Sequence, residues 1–124
     1  MEVLLDANFL VLPFQENVDV FSELERLLGS YEAYTLNRTY NEALQLEDGK
    51  YRDRVKRLVE ENLEVIDVDS DKKADDLLLD LAGDYVICTN DSGLREELRE
   101  GGLPHIYLRG RDHLEAENIH PSAF

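Results

Sequence analysis

The stretch Glu2-Val3-Leu4-Leu5-Asp6 is a short, mostly apolar run that ends in a carboxylate. A parallel strand with helices over both of its faces has this continuous apolar character. The stretch Tyr85-Val86-Ile87-Cys88-Thr89 is the clearest second run of this kind, and residues 105–108 form a last one. These runs predict a buried, mainly parallel sheet.

Amphipathic segments lie between these strands. Residues 18–28 follow Pro13 with apolar side chains at helical spacing, and Gly29 can end that helix. Helices are also predicted at residues 51–62 and 92–100, and strands at residues 31–36 and 63–68. Strands that alternate with helices predict an α/β fold with three layers, α/β/α, around a central sheet.

Two more helices are predicted together with their caps. Asn37 is expected to cap a short helix that Asp48-Gly49 ends. Ser70 or Asp71 is expected to cap a leucine-rich helix that follows.

The chain of 124 residues is long enough for one domain and too short for two. We expect that domain over residues 1–111 and a polar, irregular tail over residues 112–124. The hydrophobic fraction of 43% excludes a disordered acidic chain. Neither a membrane-spanning run nor a signal-peptide pattern is visible, and the single Cys88 is expected to be a reduced core thiol. We therefore expect a soluble, cytoplasmic protein.

The charge balance is strongly acidic, with 28 acidic residues, 13 basic ones and a formal net charge of −15. Taken alone, this disfavours a nucleic-acid partner, because such binding normally depends on Lys and Arg that neutralise phosphates. An acidic surface also keeps proteins soluble in a halophilic cytoplasm, where the Debye length of ~3 Å at ~1 M salt screens repulsion of RNA. The charge therefore neither supports nor excludes nucleic acid.

Acidic side chains follow two predicted strands at the same edge of the sheet. Asp6 closes the first strand, and Asp91 follows the strand at residues 85–89. Asp75 and Glu42 lie near the starts of two predicted helices. Because ligand sites of open α/β sheets lie outside the carboxyl ends of the strands, we expect these four carboxylates to converge.

Such a cluster is unfavourable by itself, because close carboxylates repel one another and raise each other's pKa. Mg²⁺ and Mn²⁺ prefer oxygen ligands, and they can activate water and stabilise a leaving oxygen. The cluster therefore predicts metal-dependent hydrolysis of phosphodiesters. Each acid alone has an ordinary alternative, since any of them could be a solvated surface charge and Asp75 or Asp91 could cap a helix.

Basic residues near this edge are candidates to contact the phosphates of a substrate. They are Arg38, Lys72, Lys73, Arg109 and Arg111. An arginine can hold a phosphate with two hydrogen bonds, although each of these side chains could equally be a surface charge that offsets the many acids. The histidines show no metal-ligand spacing, which disfavours zinc; they are His105, His113 and His120.

Four segments, in this order, resemble the acidic motifs of the PIN-domain nucleases. They are Leu4-Leu5-Asp6-Ala7-Asn8-Phe9-Leu10, Thr39-Tyr40-Asn41-Glu42-Ala43-Leu44, Ala74-Asp75-Asp76-Leu77-Leu78-Leu79-Asp80-Leu81-Ala82 and Cys88-Thr89-Asn90-Asp91-Ser92-Gly93-Leu94. The resemblance covers residues 3–111. Residues 13–21, the pair Asp75-Asp76 and residues 104–110 resemble an archaeal branch related to the PIN nucleases that process small-subunit ribosomal RNA.

The resemblance implies a PIN-like domain with metal-dependent endoribonuclease activity. It implies that the catalytic acids bind Mg²⁺ or Mn²⁺; these acids are Asp6, Glu42, Asp75 and Asp91. Asn8, Thr89 and Asp76 would orient the metal-binding acids through contacts that do not involve the metal itself. The partner would be RNA, including precursor ribosomal RNA, and the protein would be expected to form a homodimer.

The chain departs from the family pattern at three places. Ala43 stands where a larger aliphatic residue is usual. Either Asp75 or Asp76 could face the metal, and we choose Asp75 because its spacing within the motif matches better. Gly93 stands where many PIN nucleases carry another acid, which implies a thinner site.

Three other functions stay open at this point. A phosphorylation-dependent receiver module also gathers acids around Mg²⁺, with Asp67 or Asp69 as its phosphoacceptor, but it needs a lysine where Arg109-Gly110 stands. A catalytically quiet PIN scaffold would bind RNA or a protein partner without cutting. A ribonuclease toxin of a toxin–antitoxin pair would be a variant of the enzyme.

Overall fold

A computed structural model describes residues 1–119 of the chain, which form six strands and six helices. The strands are β1 (Glu2–Leu5), β2 (Glu32–Leu36), β3 (Glu64–Ile66), β4 (Val86–Cys88), β5 (His105–Arg109) and β6 (His113–Glu117). The helices are α1 (Ala7–Gln15), α2 (Val20–Leu28), α3 (Asn37–Gly49), α4 (Arg52–Asn62), α5 (Ala74–Leu81) and α6 (Ser92–Glu100). None of the helices within these residues is long and apolar enough to cross a membrane.

The strands form one sheet in the order β3-β2-β1-β4-β5-β6. Each neighbouring pair from β3 through to β5 is parallel, and β6 is antiparallel to β5. Val3 and Leu5 belong to the core that helices α1 to α4 cover, whereas Leu4 belongs to the core that α5 and α6 cover. The predicted three-layer α/β/α domain with a mainly parallel sheet is therefore confirmed.

Helix α1 is an element that the sequence analysis does not assign. Pro13 lies inside it, and a proline in a helix interior removes one backbone hydrogen bond and usually ends or bends the helix. The helix persists here because Phe9, Leu10 and Leu12 are buried in the core. Burial of three large apolar side chains outweighs the loss of one hydrogen bond.

Strand β6 corrects the expectation that the chain after Arg111 is irregular. Residues 113–117 pair with β5 along its whole length, from Arg109 opposite His113 to His105 opposite Glu117. The polar composition hides this strand because β6 lies at the edge of the sheet and needs few apolar residues. The rest of the expected tail, residues 120–124 with His120, lies outside the described residues.

The outer edge of β6 is covered by side chains of α2. The backbone N–H of Leu114 donates to Glu23 Oε1 at 3.0 Å, and its carbonyl accepts from Arg26 Nη2 at 2.7 Å. Glu23 and Arg26 also pair with each other, at 2.8 Å between Glu23 Oε2 and Arg26 Nε. One ion pair thus satisfies both backbone groups that this residue of an edge strand would otherwise leave open.

The predicted helix caps are wrong in two places. Asn37 does not cap α3; the N-cap is Leu36, whose N–H donates to Thr39 Oγ1 at 2.9 Å. Likewise, α5 starts after Lys73 without a side-chain cap, and neither Ser70 nor Asp71 caps it. The side chain of Asn37 instead bonds the backbone of Val68, and the hydroxyl of Ser70 accepts the N–H of Lys72 at 3.1 Å.

Candidate active site

Asp6 is the most enclosed acid of the predicted cluster, with 5% of its surface exposed. Its Oδ1 accepts the N–H of Ala7 at 2.8 Å, so that it caps α1, and its Oδ2 accepts the hydroxyl of Thr89 at 2.6 Å. Its own N–H donates to the carbonyl of Cys88, which continues the pairing of β1 with β4. These three contacts fix the carboxylate at the carboxyl end of the two central strands.

Asp91 is tied to Asp6 through the same threonine. The hydroxyl oxygen of Thr89 accepts the N–H of Asp91 at 3.1 Å while it donates to Asp6. The carboxylate of Asp91 accepts the N–H of Leu94 at 2.8 Å and caps α6. The capping role considered for Asp91 is therefore real, and it holds the carboxylate at the same sheet edge.

Two asparagines, Asn8 and Asn90, connect this edge of the sheet to its neighbours by hydrogen bonds. Asn8 Oδ1 accepts the N–H of Asn90 at 3.2 Å, and Asn90 Oδ1 accepts the N–H of Leu108 at 2.8 Å. The start of α1, the end of β4 and the end of β5 are therefore connected. Asn8 thus holds the backbone of the residue that precedes Asp91, and its role in orienting the acids stays a prediction.

Glu42 and Asp75 reach the site from helices α3 and α5, and both are exposed. A cleft of about 560 Å³ runs between α3, α5 and α6. It is lined by Glu42, Lys73, Ala74, Asp75, Asp76, Asp91, Gly93, Leu94 and Glu97. Glu97 is a further acid at the cleft that the sequence motifs do not indicate. Its position about one and a half turns after the start of α6 is the signal that could have found it.

The four predicted acids lie within each other's electrostatic field. Burial raises the pKa of Asp6, and the charges of Asp75 and Asp91 raise it further, while hydrogen bonds from Thr89 and Ala7 lower it. Burial also raises the pKa of Glu42, with smaller contributions in the same direction from Asp6, Asp75 and Asp91. The four carboxylates of the sequence motifs are therefore close enough to influence one another's ionisation, and three of them, Glu42, Asp75 and Asp91, line one cleft.

The choice between Asp75 and Asp76 gains support from the same field. The pKa of Asp75 is raised by partial burial, then by the charge of Asp91 and then by that of Asp76. Asp76 also lines the cleft, and its negative charge contributes to the raised pKa of Lys72, after the larger effect of Asp80. Asp75 interacts with each of the other three acids, which fits its selection as the member of the cluster.

The donor set suits a hard divalent cation. Carboxylate oxygens are the ligands that Mg²⁺ and Mn²⁺ prefer, and a cation among them would relieve the repulsion that raises their pKa values. Within residues 1–119, no three acidic, histidine or cysteine side chains lie close enough to form a ready-made metal site. The residues fit the ion by the chemistry of their oxygen donors, whereas their present spacing is wider than that of ligands around a bound ion.

Two of the basic candidates are engaged with the protein itself. The guanidinium of Arg38 donates to the backbone carbonyls of Ser70 and Lys72. The ammonium of Lys72 pairs with Asp80 at 2.6 Å on the exposed side of α5. Arg38 therefore holds a loop, which the sequence alone does not indicate.

The other three basic candidates, Lys73, Arg109 and Arg111, are exposed to solvent. Lys73 lines the cleft beside the acids. Arg109 ends β5 and pairs with Glu115 of β6 at 2.9 Å, and Arg111 is exposed in the turn that follows. These three side chains border the acidic edge or the hairpin next to it.

A buried threonine pair supports the start of α3, and the sequence analysis assigns it no role. Thr35 donates its hydroxyl to the carbonyl of Leu5 at 2.8 Å, and Thr35 and Thr39 share a hydrogen bond of 2.8 Å. Both threonines are fully buried. The end of β1 and the start of α3 are thereby joined, which fixes Glu42 relative to Asp6.

The alternative of a receiver module does not fit this topology. Its phosphoacceptor would stand at the end of a central strand, whereas Asp67 and Asp69 follow β3 at the edge of the sheet. All four acids of the cluster lie within residues 3–111, which match the family model of a PIN like domain. The chain belongs to the PIN domain family.

Among solved structures, this PIN domain is similar to the structure of the PIN domain endonuclease Utp24, with a TM-score of 0.77 and 22% sequence identity. The match covers 95% of this chain and 92% of that one, and at this identity it shows a shared fold. The comparison with curated proteins gives no match. PIN domains are generally nucleases, so the family supports a nuclease here.

Proposed function

We propose that this PIN domain is a metal-dependent endoribonuclease that hydrolyses RNA phosphodiester bonds. The observation that supports the proposal is the mutual charge effect among four carboxylates, two of which end or follow β1 and β4 at their carboxyl edge. Asp6, Glu42, Asp75 and Asp91 would hold Mg²⁺ or Mn²⁺, and Asn8 and Thr89 support the acids that end the two strands. When bound, the ion would supply Lewis acidity for an attacking water and for the leaving oxygen.

The protein's own side chains position the acids and offer contacts for the substrate. Thr89 holds one oxygen of Asp6 and the backbone of Asp91, so that the two strand-end acids keep their relative position. The start of α6 would favour the negative charge of a phosphate near Asp91. Lys73 and Arg109 are candidates to contact the RNA backbone beside the acids.

The substrate class remains RNA, with precursor ribosomal RNA as the more specific proposal. It rests on the resemblance of residues 13–21 and 104–110 to the ribosomal-RNA-processing branch of PIN nucleases. The buried free thiol of Cys88 is consistent with a reducing cytoplasm, where we place the activity. The expected homodimer stays a prediction, and light scattering on the purified protein would check it.

The test is cleavage of a labelled single-stranded RNA in high salt with Mn²⁺ or Mg²⁺. We expect wild-type protein to cut, and Asp6→Asn to lose at least a hundredfold in rate, because the variant lacks the charge of its most enclosed metal ligand. Asp84→Asn is the matched control, since Asp84 is exposed and does not line the acidic cleft. EDTA should abolish cleavage by wild-type protein and by Asp84→Asn.

Two outcomes would contradict the proposal. Cleavage that survives in EDTA or in Asp6→Asn would remove the acidic cluster from the mechanism. Metal binding without cleavage of any of several RNAs would favour the scaffold that binds RNA or a protein partner. A toxin would be indicated by activity that a protein encoded next to it suppresses.

A further inference from the structure

The segment between β3 and α5 decides where Asp75 lies. Residues 67–73 have no regular secondary structure, and α5 begins directly after them at Ala74. Asp75 is the second residue of that helix, and the helix starts without a side-chain cap. Leu77 and Leu78 anchor α5 in the core, and the position of Asp75 in its first turn also depends on what holds residues 67–73.

Two consecutive residues at the start of α3 hold this segment, and we call Asn37 and Arg38 the α3 clamp. Asn37 Oδ1 accepts the N–H of Val68 at 3.1 Å, and Asn37 Nδ2 donates to the carbonyl of Val68 at 3.4 Å. One guanidinium nitrogen of Arg38 donates to the carbonyl of Ser70 and another to that of Lys72. The clamp thus grips three residues of the segment through their backbones.

The clamp stands on the same helix as Glu42. Arg38 and Glu42 are four residues apart, so that they share a face of α3. The start of α3 is itself fixed to the end of β1 by the buried pair Thr35 and Thr39. A series of hydrogen bonds therefore connects the end of β1 with the segment that precedes Asp75.

The chemistry of the clamp requires a guanidinium. Its planar fork can donate to two carbonyl oxygens at the same time, whereas an ammonium is a point donor on a flexible stem. Because these donors face the protein's own backbone, Arg38 is poorly placed to bind a phosphate of the substrate. This arrangement changes the role expected for Arg38 from substrate contact to positioning.

We infer that the α3 clamp is a positioning device, which sets the distance of Asp75 from Asp6, Glu42 and Asp91 and thereby the affinity for the divalent cation. The inference rests on the proposed function, because it assumes that these acids bind a cation. Loss of groups that orient metal ligands typically lowers metal affinity by about 10- to 100-fold. A simple charge effect has the opposite sign, since removal of a cationic side chain near a cation site strengthens cation binding.

The experiment measures Mn²⁺ affinity by calorimetry for wild type, Arg38→Gln, Arg38→Lys, Asp75→Asn and the double variant Arg38→Gln/Asp75→Asn. We expect both Arg38 variants to bind Mn²⁺ about tenfold or more weakly, because each loses the two-carbonyl grip. In the Asp75→Asn background, Arg38→Gln should add little, since the residue that it positions has gone. Arg57→Gln is the matched control, because Arg57 is an exposed arginine paired with Glu61 on α4.

A second readout needs no metal and no activity. Amide hydrogen exchange in the metal-free protein should become faster in residues 68–73 of both Arg38 variants and stay unchanged in Arg57→Gln. Unchanged or stronger Mn²⁺ binding by Arg38→Gln would overturn the inference while leaving the proposed function intact. Additive losses in the double variant would also overturn it, and wild-type protein that binds no Mn²⁺ would overturn both.

Discussion

Thr89 is the residue on which the two strand-end acids depend most directly. Its hydroxyl is both a donor, to Asp6, and an acceptor, from the N–H of Asp91. The side chain is fully buried, so that water cannot replace these hydrogen bonds easily. A carboxylate as enclosed as that of Asp6 tolerates its charge only with such partners.

We predict that Thr89→Val lowers the free energy of unfolding by roughly 1–3 kcal/mol, the usual cost of leaving a buried polar group without its partner. Valine keeps the shape of threonine, so the effect reports the lost hydroxyl. Thr89→Ser restores the hydroxyl and should recover most of the stability. Urea unfolding of the metal-free proteins would measure this, and equal loss in the serine variant would assign the effect to packing.

At the scale of elements, β6 shows how an open sheet edge can be closed by a helix. Glu23 and Arg26 of α2 satisfy the N–H and the carbonyl of Leu114, and Leu114 is itself buried. The hydrogen bonds from Arg26 and then from Leu114 lower the pKa of Glu23 to about 2. The folded structure therefore favours the ionised form of the Glu23 carboxylate.

This pKa predicts a pH dependence of stability. Because the pKa of Glu23 is lower in the folded state than its ordinary value of 4.5, its contribution is complete above about pH 4.5 and is lost as the pH falls towards 2. We expect Glu23→Gln to be less stable than wild type at pH 7, and the difference to shrink between these limits. Chemical unfolding at several pH values would measure it.

The control for this prediction is Glu25→Gln, an exposed glutamate on the same helix. It should lower stability little, and its effect should depend little on pH. A difference between Glu23→Gln and wild type that stays constant from pH 7 to pH 3 would show that Glu23 contributes packing and not charge.

The sequence predicts best those elements whose packing leaves a continuous apolar pattern. Strand β4 and helix α6 follow from such patterns because both faces of the strand and one face of the helix are buried. Helix α1 is missed because Pro13 locally disfavours a helix, and the burial that stabilises the helix is visible only in the folded chain. Strand β6 is missed because an edge strand of a hairpin depends on its neighbour more than on its own apolar residues.

The candidate site divides in the same way. Asp6 and Asp91 can be predicted because topology alone brings strand ends to one edge. The contacts of Asn37 and Arg38 with residues 68–72 cannot, because nothing in either segment marks the other as its partner. Side chains that hold loops use ordinary donors and acceptors, and their partners become visible only in three dimensions.

At the scale of the whole molecule, the net charge of −15 is the dominant electrostatic feature. Self-repulsion of a surface this acidic opposes the compact state. Salt shortens the range of that repulsion, with the Debye length falling from ~10 Å at 0.1 M to ~3 Å at 1 M. The acidic composition therefore makes stability depend on ionic strength.

We predict that the midpoint of thermal unfolding of the metal-free protein rises between about 0.1 M and 1 M NaCl as repulsion is screened. A neutral osmolyte such as sucrose at matched osmolality separates this effect from general exclusion of solute from the protein surface. A midpoint that stays flat or falls over this range would contradict the prediction. Differential scanning calorimetry would measure both series.

The pairing of β1 with β4 has a consequence for folding during synthesis on the ribosome. Strands β1, β2 and β3 are made first and can pair with one another, but the partner of β1 on its other side begins only at Val86. A chain whose synthesis stops before that strand carries Asp6, Glu42 and Asp75 without Thr89 or Asp91. Incomplete chains would therefore lack two residues of the hydrogen-bonded acidic edge, which can form only after β4 and the start of α6 have been made.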